Sequence, residues 1–156
     1  MSQHVNKFTR LPRRHGFGKY VELYRIQVSK CDGIMLTVTR NDRDVRVGIR
    51  MWTKDFTVPT TEGVSMTVAE WDALRMHESS ITEAMSQVKT NKIDKRWTIS
   101  NDILATVNSD YGRKLDLRHT FDRVGGDGIV TKMFTKRAIR LNSAHWNEIV
   151  KHMPQV

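Results

Sequence analysis

The feature that most constrains this chain is that one pattern occurs in it twice. The run Val47-Gly48-Ile49-Arg50 returns as Leu115-Asp116-Leu117-Arg118 at an offset of 68 residues. Val64-Ser65-Met66-Thr67 returns as Ile139-Arg140-Leu141-Asn142, and Trp71-Asp72-Ala73-Leu74 as Trp146-Asn147-Glu148-Ile149, both at an offset of 75. The difference of seven residues is a longer third hairpin in the second copy. It holds Gly125-Gly126-Asp127-Gly128, residue types that supply positive-φ turn positions. A unit of about 65 residues buries too little surface to be stable alone, so the two copies are expected to pack on each other.

Within the first copy Tyr20, Glu22, Tyr24, Ile26 and Val28 alternate along an extended segment and are expected on one face, with a turn at Asp32-Gly33. Ile34, Leu36 and Val38 mark a second strand. After the polar turn Asn41-Asp42-Arg43-Asp44, residues Val45, Val47, Ile49 and Met51 point one way and Arg46, Gly48, Arg50 and Trp52 the other. A hairpin through Pro59 to Gly63 leads to Val64-Ser65-Met66. Thr67 then stands three residues before Glu70, the spacing of a capping box. Trp71, Leu74, Ile81, Met85 and Val88 recur at the helical period, which predicts one helix ended by the polar stretch Lys89 to Lys95. In the second copy Trp97 and Ile99 open a strand, with Ile103, Ala105 and Val107 continuing. The predicted organisation is a flexible basic arm over residues 1–18, a first ββββα unit over 19–88, a linker over 89–95 and a second ββββα unit over 96–156. The fold class is α+β: two curved antiparallel sheets packed through their helices as an intramolecular pseudo-dimer, with the outer sheet faces free for binding.

Charge narrows the partner. Lys and Arg number 26 against 17 Asp and Glu, a net charge of +9, and such a surface suits a polyanion. The single cysteine, Cys31, has no intrachain partner for a disulfide and there is no CxxC pair, which favours a reducing, intracellular setting. No apolar run approaches the roughly 18 residues of a bilayer span, and the N-terminus has no h-region. The expected location is the nucleus in a eukaryote, and otherwise the cytoplasm or a virus- or phage-encoded role, with no membrane partner. Histidines at 4, 15, 77, 119, 145 and 152 show no HExxH arrangement. Gly125 to Gly128 lacks the Gly-Lys-Ser/Thr of a phosphate loop, and Asp110, Asp116, Asp122 and Asp127 are spread along strands and loops. No catalytic residue, metal or cofactor is expected, and the chain is not read as an enzyme.

Binding a single nucleic-acid strand needs positive charge along the phosphates and aromatic faces for the bases. Arg46, Arg50 and Trp52 offer that pairing on one strand face. Lys114 and Arg118 continue the charge in the second copy, Thr37 and Thr39 lie on the polar side of their strand, and Arg140 faces outward between Ile139 and Leu141. Each has a plainer reading: strand arginines and lysines are commonly just solvated, and Trp52 fits either base stacking or core packing. Trp71 and Trp146 fall on apolar helix faces and are expected in the core.

The strand Val45-Arg46-Val47-Gly48-Ile49-Arg50-Met51-Trp52 and the stretch from Glu62 through Val64-Ser65-Met66 to Glu70-Trp71-Asp72-Ala73-Leu74 resemble the positive cofactor four family of transcriptional coactivators, which bind single-stranded DNA. Arg137 to Trp146 repeats the second signature more loosely. In that family the unit forms a homodimer, so the resemblance implies that here one chain supplies both halves and binds single-stranded DNA through its sheets. It places Tyr111 near a stacking aromatic of the family, where the first copy offers Arg40 and Asn41. Trp52 corresponds to Thr120, with Phe121 the nearest aromatic and in need of a bulge to share that face. The halves are therefore expected to bind unequally. The implied partners are single-stranded DNA, with RNA or melted duplex as alternatives, and proteins of the transcription or replication machinery. The competing functions are an RNA-binding protein and a coactivator module that recruits acidic protein partners.

Overall fold

The computed structural model describes residues 10, 11, 20–53 and 55–156. Strands β1 (Arg10–Leu11), β2 (Tyr20–Ser29), β3 (Ile34–Arg40), β4 (Val45–Trp52) and β5 (Pro59–Thr67) form one antiparallel sheet in sequence order. Helices α1 (Val68–Met76) and α2 (Glu78–Gln87) follow. Strands β6 (Asp94–Ser100), β7 (Ile103–Asn108), β8 (Lys114–Val124) and β9 (Val130–Asn142) form the second sheet, again in sequence order, and helix α3 (Ser143–His152) follows it. The chain is thus α+β, with the two-unit strand-then-helix order read from the repeat.

Four particulars differ from expectation. Arg10 and Leu11 pair with Val21 and Tyr20 as an added edge strand, inside the span read as a flexible arm; the rest of residues 1–18 lies outside the described residues. The single first helix is two, divided at His77, whose φ of −97° and ψ of 6° interrupt it. Strand β6 begins at Asp94, inside the stretch read as linker. The alternation of β2 is broken by a bulge between Glu22 and Tyr24, so Glu22 pairs with Thr39 and Tyr24 with Val38. The five residues expected on one face are therefore split. Tyr20 and Glu22 lie on the face turned away from the core, while Tyr24, Ile26 and Val28 pack on it.

The Thr67 capping box forms as its spacing predicts, and a second forms at the repeated position. Thr67 accepts from the Glu70 N–H at 3.1 Å while Glu70 accepts from the Thr67 N–H at 2.9 Å. Asn142 and His145 repeat the exchange at α3, with an imidazole in place of the carboxylate. Gly33, at φ 73°, turns β2 into β3, and a Cβ there would stand 2.7 Å from the Trp52 carbonyl oxygen, so only glycine fits.

Side chains of both units form one apolar cluster. Trp71, Leu74, Ile81, Met85, Trp146 and Ile149 from the helices meet Leu36, Val47 and Ile49 of the first sheet and Ile103, Leu115 and Leu117 of the second, all buried. Helix α1 touches β4 and β5 of its own unit and β6 of the other, α2 touches β7 and β8, and α3 touches β2. Polar side chains tie the units at their margins. The Trp146 indole donates to Thr82 Oγ1 at 2.9 Å, the Trp97 indole donates to Ser80 Oγ at 3.2 Å, and Ser100 donates to Glu70 at 2.6 Å. His145 Nδ1 accepts the Asn142 N–H, which leaves Nε2 as the donor to Asp32 at 2.7 Å; this hydrogen bond holds the Asp32 carboxyl below its ordinary range.

Between the sheets, β5 runs beside β8 and β9, and the Ser65 N–H donates to His119 Nε2 at 3.2 Å. An imidazole that accepts there must be neutral. Burial pushes the His119 pKa down, and Arg137, Arg46 and Arg50 add to the shift against an opposing pull from Glu70. The native state therefore binds fewer protons than the unfolded chain below the ordinary histidine value of about 6.5. The stability due to His119 is whole above that pH and is lost as pH falls from it through the lower folded value. Thermal unfolding followed from pH 8 to 5 should show Tm declining below about pH 6.5, and His119→Gln, which keeps an acceptor for Ser65, should flatten that decline. An unchanged slope in the variant would refute the assignment.

Candidate nucleic-acid interface

On the first sheet, strand pairing sets the outward side chains in rows. Glu22, Thr39, Arg46 and Thr67 form one row, Arg25, Thr37, Gly48 and Ser65 the next, and Gln27, Met35, Arg50 and Gly63 a third. Trp52 continues the Arg46-Gly48-Arg50 alternation at the strand end. Of these, Glu22, Thr37, Thr39, Arg46, Gly48, Arg50, Ser65 and Trp52 line a groove of about 750 Å³, also bordered by Tyr20 and Arg43, a volume in the range of small-ligand sites. Gly48 leaves the middle open: a Cβ there would press on Thr37 Oγ1 at 3.3 Å. Gly63 lets β5 approach β4, since its Cβ would fall 2.6 Å from the Ile49 carbonyl oxygen.

The groove is basic and its arginines are oriented. Arg46 donates through Nε to Ser65 Oγ at 3.1 Å and through Nη2 to the Ser65 carbonyl at 3.3 Å. Arg50 donates from Nη1 to the Thr60 carbonyl at 3.0 Å. Burial and the nearby Arg137 lower the Arg50 pKa, though a guanidinium remains charged at neutral pH. Arg25, on β2, stands with Cζ 5.2 Å from the Trp52 ring centroid, within cation–π range. It is held by Glu22 through two hydrogen bonds, Nε to Oε2 at 2.7 Å and Nη2 to Oε1 at 2.8 Å.

The second sheet is built differently. Its outward rows are Arg96, Thr106, Asp116 and Arg140, then Thr98, Leu104, Arg118 and Ala138. Asp116, only 3% exposed, accepts from Arg118 at 3.2 and 2.9 Å and from Arg140 at 3.1 Å. The hydrogen bond to Asp116 raises the Arg118 pKa against the effect of burial, and Arg118 also donates to the Thr135 carbonyl at 2.8 Å. Arg140 lies over Tyr111, Cζ to centroid 3.9 Å. Tyr111 sits in a short 3-10 turn over Ser109–Tyr111, capped by Asn108 and released at Gly112, φ 79°. The cleft here is about 60 Å³, a small fraction of the first.

The structure brings Arg46, Arg50, Trp52, Thr37 and Thr39 together in the first groove, and Arg118 and Tyr111 together in the second cleft, with Arg140 beside it over the Tyr111 ring. Lys114 stays exposed at the start of β8, opposite Asn142. Phe121 is a correction. It pairs with Met133 and alternates to the face opposite Arg118, while Phe134, opposite Thr120, lines the cleft. The extra residues that shift the register lie on β9, between Phe134 and Ala138, so the neighbouring strand supplies the aromatic. Arg25 and Glu22 were missed because the bulge at Leu23 leaves no mark in the alternation. Phe134 had a signal in the run Val130-Thr131-Lys132-Met133-Phe134, which alternates as a strand does. Among the described residues no group of three or more His, Cys, Asp or Glu is placed to hold a metal ion, and no helix is long and apolar enough to cross a membrane.

No family model matches the chain, and no curated protein matches it. Five chains of solved structures match. One is MRP1/MRP2 of Trypanosoma brucei, 12% identical, with a TM-score of 0.34 over 85% of this chain and 81% of that one. A likeness at that TM-score carries no argument about function.

Asp116 is the buried polar group on which the second face depends. Asp116→Asn should lower unfolding stability by about 1–3 kcal/mol, as expected for losing charge-assisted hydrogen bonds, while Asp72→Asn, in an exposed helical pair with Arg75, should change it by less than about 0.5 kcal/mol. Denaturant titration of the two variants checks this; equal effects would refute the role given to Asp116.

Proposed function

We propose that this chain is a single-stranded DNA-binding protein of low sequence specificity, acting in transcription or replication and similar in plan to the positive cofactor four coactivators. In this reading it is a binding protein and not an enzyme, and its two ββββα units act as an intramolecular pseudo-dimer packed through their helices. The observation that carries it is the groove of the first sheet. Arg43, Arg46 and Arg50 border it, Thr37 and Thr39 present hydroxyls, and Trp52 stands at its end. Arginine and threonine suit phosphate oxygens and carry little sequence information. An indole accepts the face of any base, but only of a base that is out of a duplex stack. Charge and aromatic surface are thus combined as a single strand requires. The same contacts serve RNA, so the sugar preference is decided by comparing the two.

Fluorescence anisotropy with a labelled mixed-sequence strand of about 20 nucleotides, its duplex and the matching RNA tests the reading. Single-stranded DNA should bind most tightly, with affinity falling steeply as salt rises. Trp52→Ala should weaken it roughly fivefold or more, the lower end of one lost stack. Equal binding of all three ligands with no effect of Trp52→Ala would overturn the proposal, and preference for RNA would redirect it.

A further inference from the structure

Both outer faces carry a feature at odds with a polyanion partner: a nearly buried carboxylate. Glu22 and Asp116 are each 3% exposed. An acidic group on a phosphate-binding face repels its ligand unless its charge is masked. In both cases it is paired with arginine, one at Glu22 and two at Asp116, and on each face one of these arginines lies over an aromatic ring. Glu22 grips Arg25, which stands over Trp52. Asp116 holds Arg118 and Arg140, and Arg140 stands over Tyr111.

The two constellations do not descend from equivalent positions of the repeat. Arg25 and Glu22 lie on β2, and the bulge at Leu23 brings residues three apart to one face. Asp116 and Arg140 face each other across β8 and β9. Trp52 ends a strand, whereas Tyr111 lies in a turn. The repeat pattern alone therefore does not account for the same three-part arrangement arising on each face. Both arginines keep accessible surface, with 26% of the Arg25 side chain and 46% of the Arg140 side chain exposed.

We propose that Arg25 with Trp52 and Arg140 with Tyr111 are two preformed stacking platforms for unpaired nucleobases, in which Glu22 and Asp116 are positioning residues that fix the guanidinium plane and offset its charge, Asp116 sharing its charge between Arg140 and Arg118. The inference rests on the nucleic-acid reading above and adds a division of labour to it. Arg46 and Arg50 meet phosphates as charges. Arg25 and Arg140 meet bases as flat surfaces, a use of arginine that lysine cannot copy because its ammonium has no plane.

The division is readable in salt dependence, because a phosphate contact contributes to the slope of affinity against salt and a stacking contact does not. The probes are labelled oligodeoxythymidine of about 20 nucleotides and an abasic strand of the same length. The wild type should bind the base-bearing strand more tightly. Arg25→Ala and Arg140→Ala should each weaken that binding about tenfold, leave the abasic strand unaffected and leave the salt slope unchanged. Arg25→Lys and Arg140→Lys should behave like the alanine variants and serve if those fail to fold. Arg46→Gln should weaken both strands and lower the slope by about one. Glu22→Gln and Asp116→Asn, which unmask the guanidinium, should steepen the slope. A lowered slope in Arg25→Ala with equal weakening of both strands would overturn the proposal, as would lysine variants indistinguishable from wild type. Wild-type binding that ignores the bases would refute the platforms and spare the phosphate contacts; failure of the wild type to bind either strand would refute the nucleic-acid reading itself.

Discussion

One apolar layer, filled from two sides, governs the rest of this molecule. Each sheet has a single apolar face, and each needs a cover. The three helices provide it jointly: Trp71, Leu74, Ile81 and Met85 from the first unit and Trp146 and Ile149 from the second enter one cluster with residues of both sheets. Because α1 reaches β6 and α3 reaches β2, neither unit keeps its own core. The Trp146 indole on Thr82, Ser100 on Glu70 and His145 on Asp32 give this exchange fixed polar partners. A sheet whose apolar face is fully used turns its other face outward, and this is how a core constraint yields a binding surface.

The two outer faces then diverge through backbone details. On the first, Gly48 removes a side chain from the centre of the sheet and Gly63 draws β5 close to β4, so the flanking arginines and Trp52 stand around an open groove. On the second, Asp116 occupies the centre and draws Arg118 and Arg140 inward, so the cleft nearly closes. The same repeat thus presents a wide basic groove on one side and a compact charge-paired surface on the other. In the proposed reading these are unequal halves of one nucleic-acid interface.

Much of this was legible in the sequence. Strand alternation placed Arg46, Arg50 and Trp52 on one face, the Thr67–Glu70 spacing located the first cap, and the doubled Trp-containing motif located both core tryptophans, because side-chain period and capping chemistry are local. What was not legible came from register. The bulge at Leu23 moved Tyr20 and Glu22 away from Tyr24 and put Arg25 on their outward face. The offset between β8 and β9 gave the second cleft Phe134 in place of Phe121. The ion pairs of Glu22 and Asp116 follow from those registers, and a one-residue change in register turns a side chain to the opposite face. The split of the first helix at His77 likewise had no marker, since its apolar spacing continues through the break.

The most direct test of the account is a titration of the isotopically labelled protein with single-stranded DNA, followed by the four tryptophan indole N–H resonances. Trp52 should move progressively to saturation while Trp71 and Trp146, buried in the shared core, stay in place. Shifts in the core indoles with Trp52 unmoved, or no shift in any indole at saturating strand, would contradict binding at the outer sheet face.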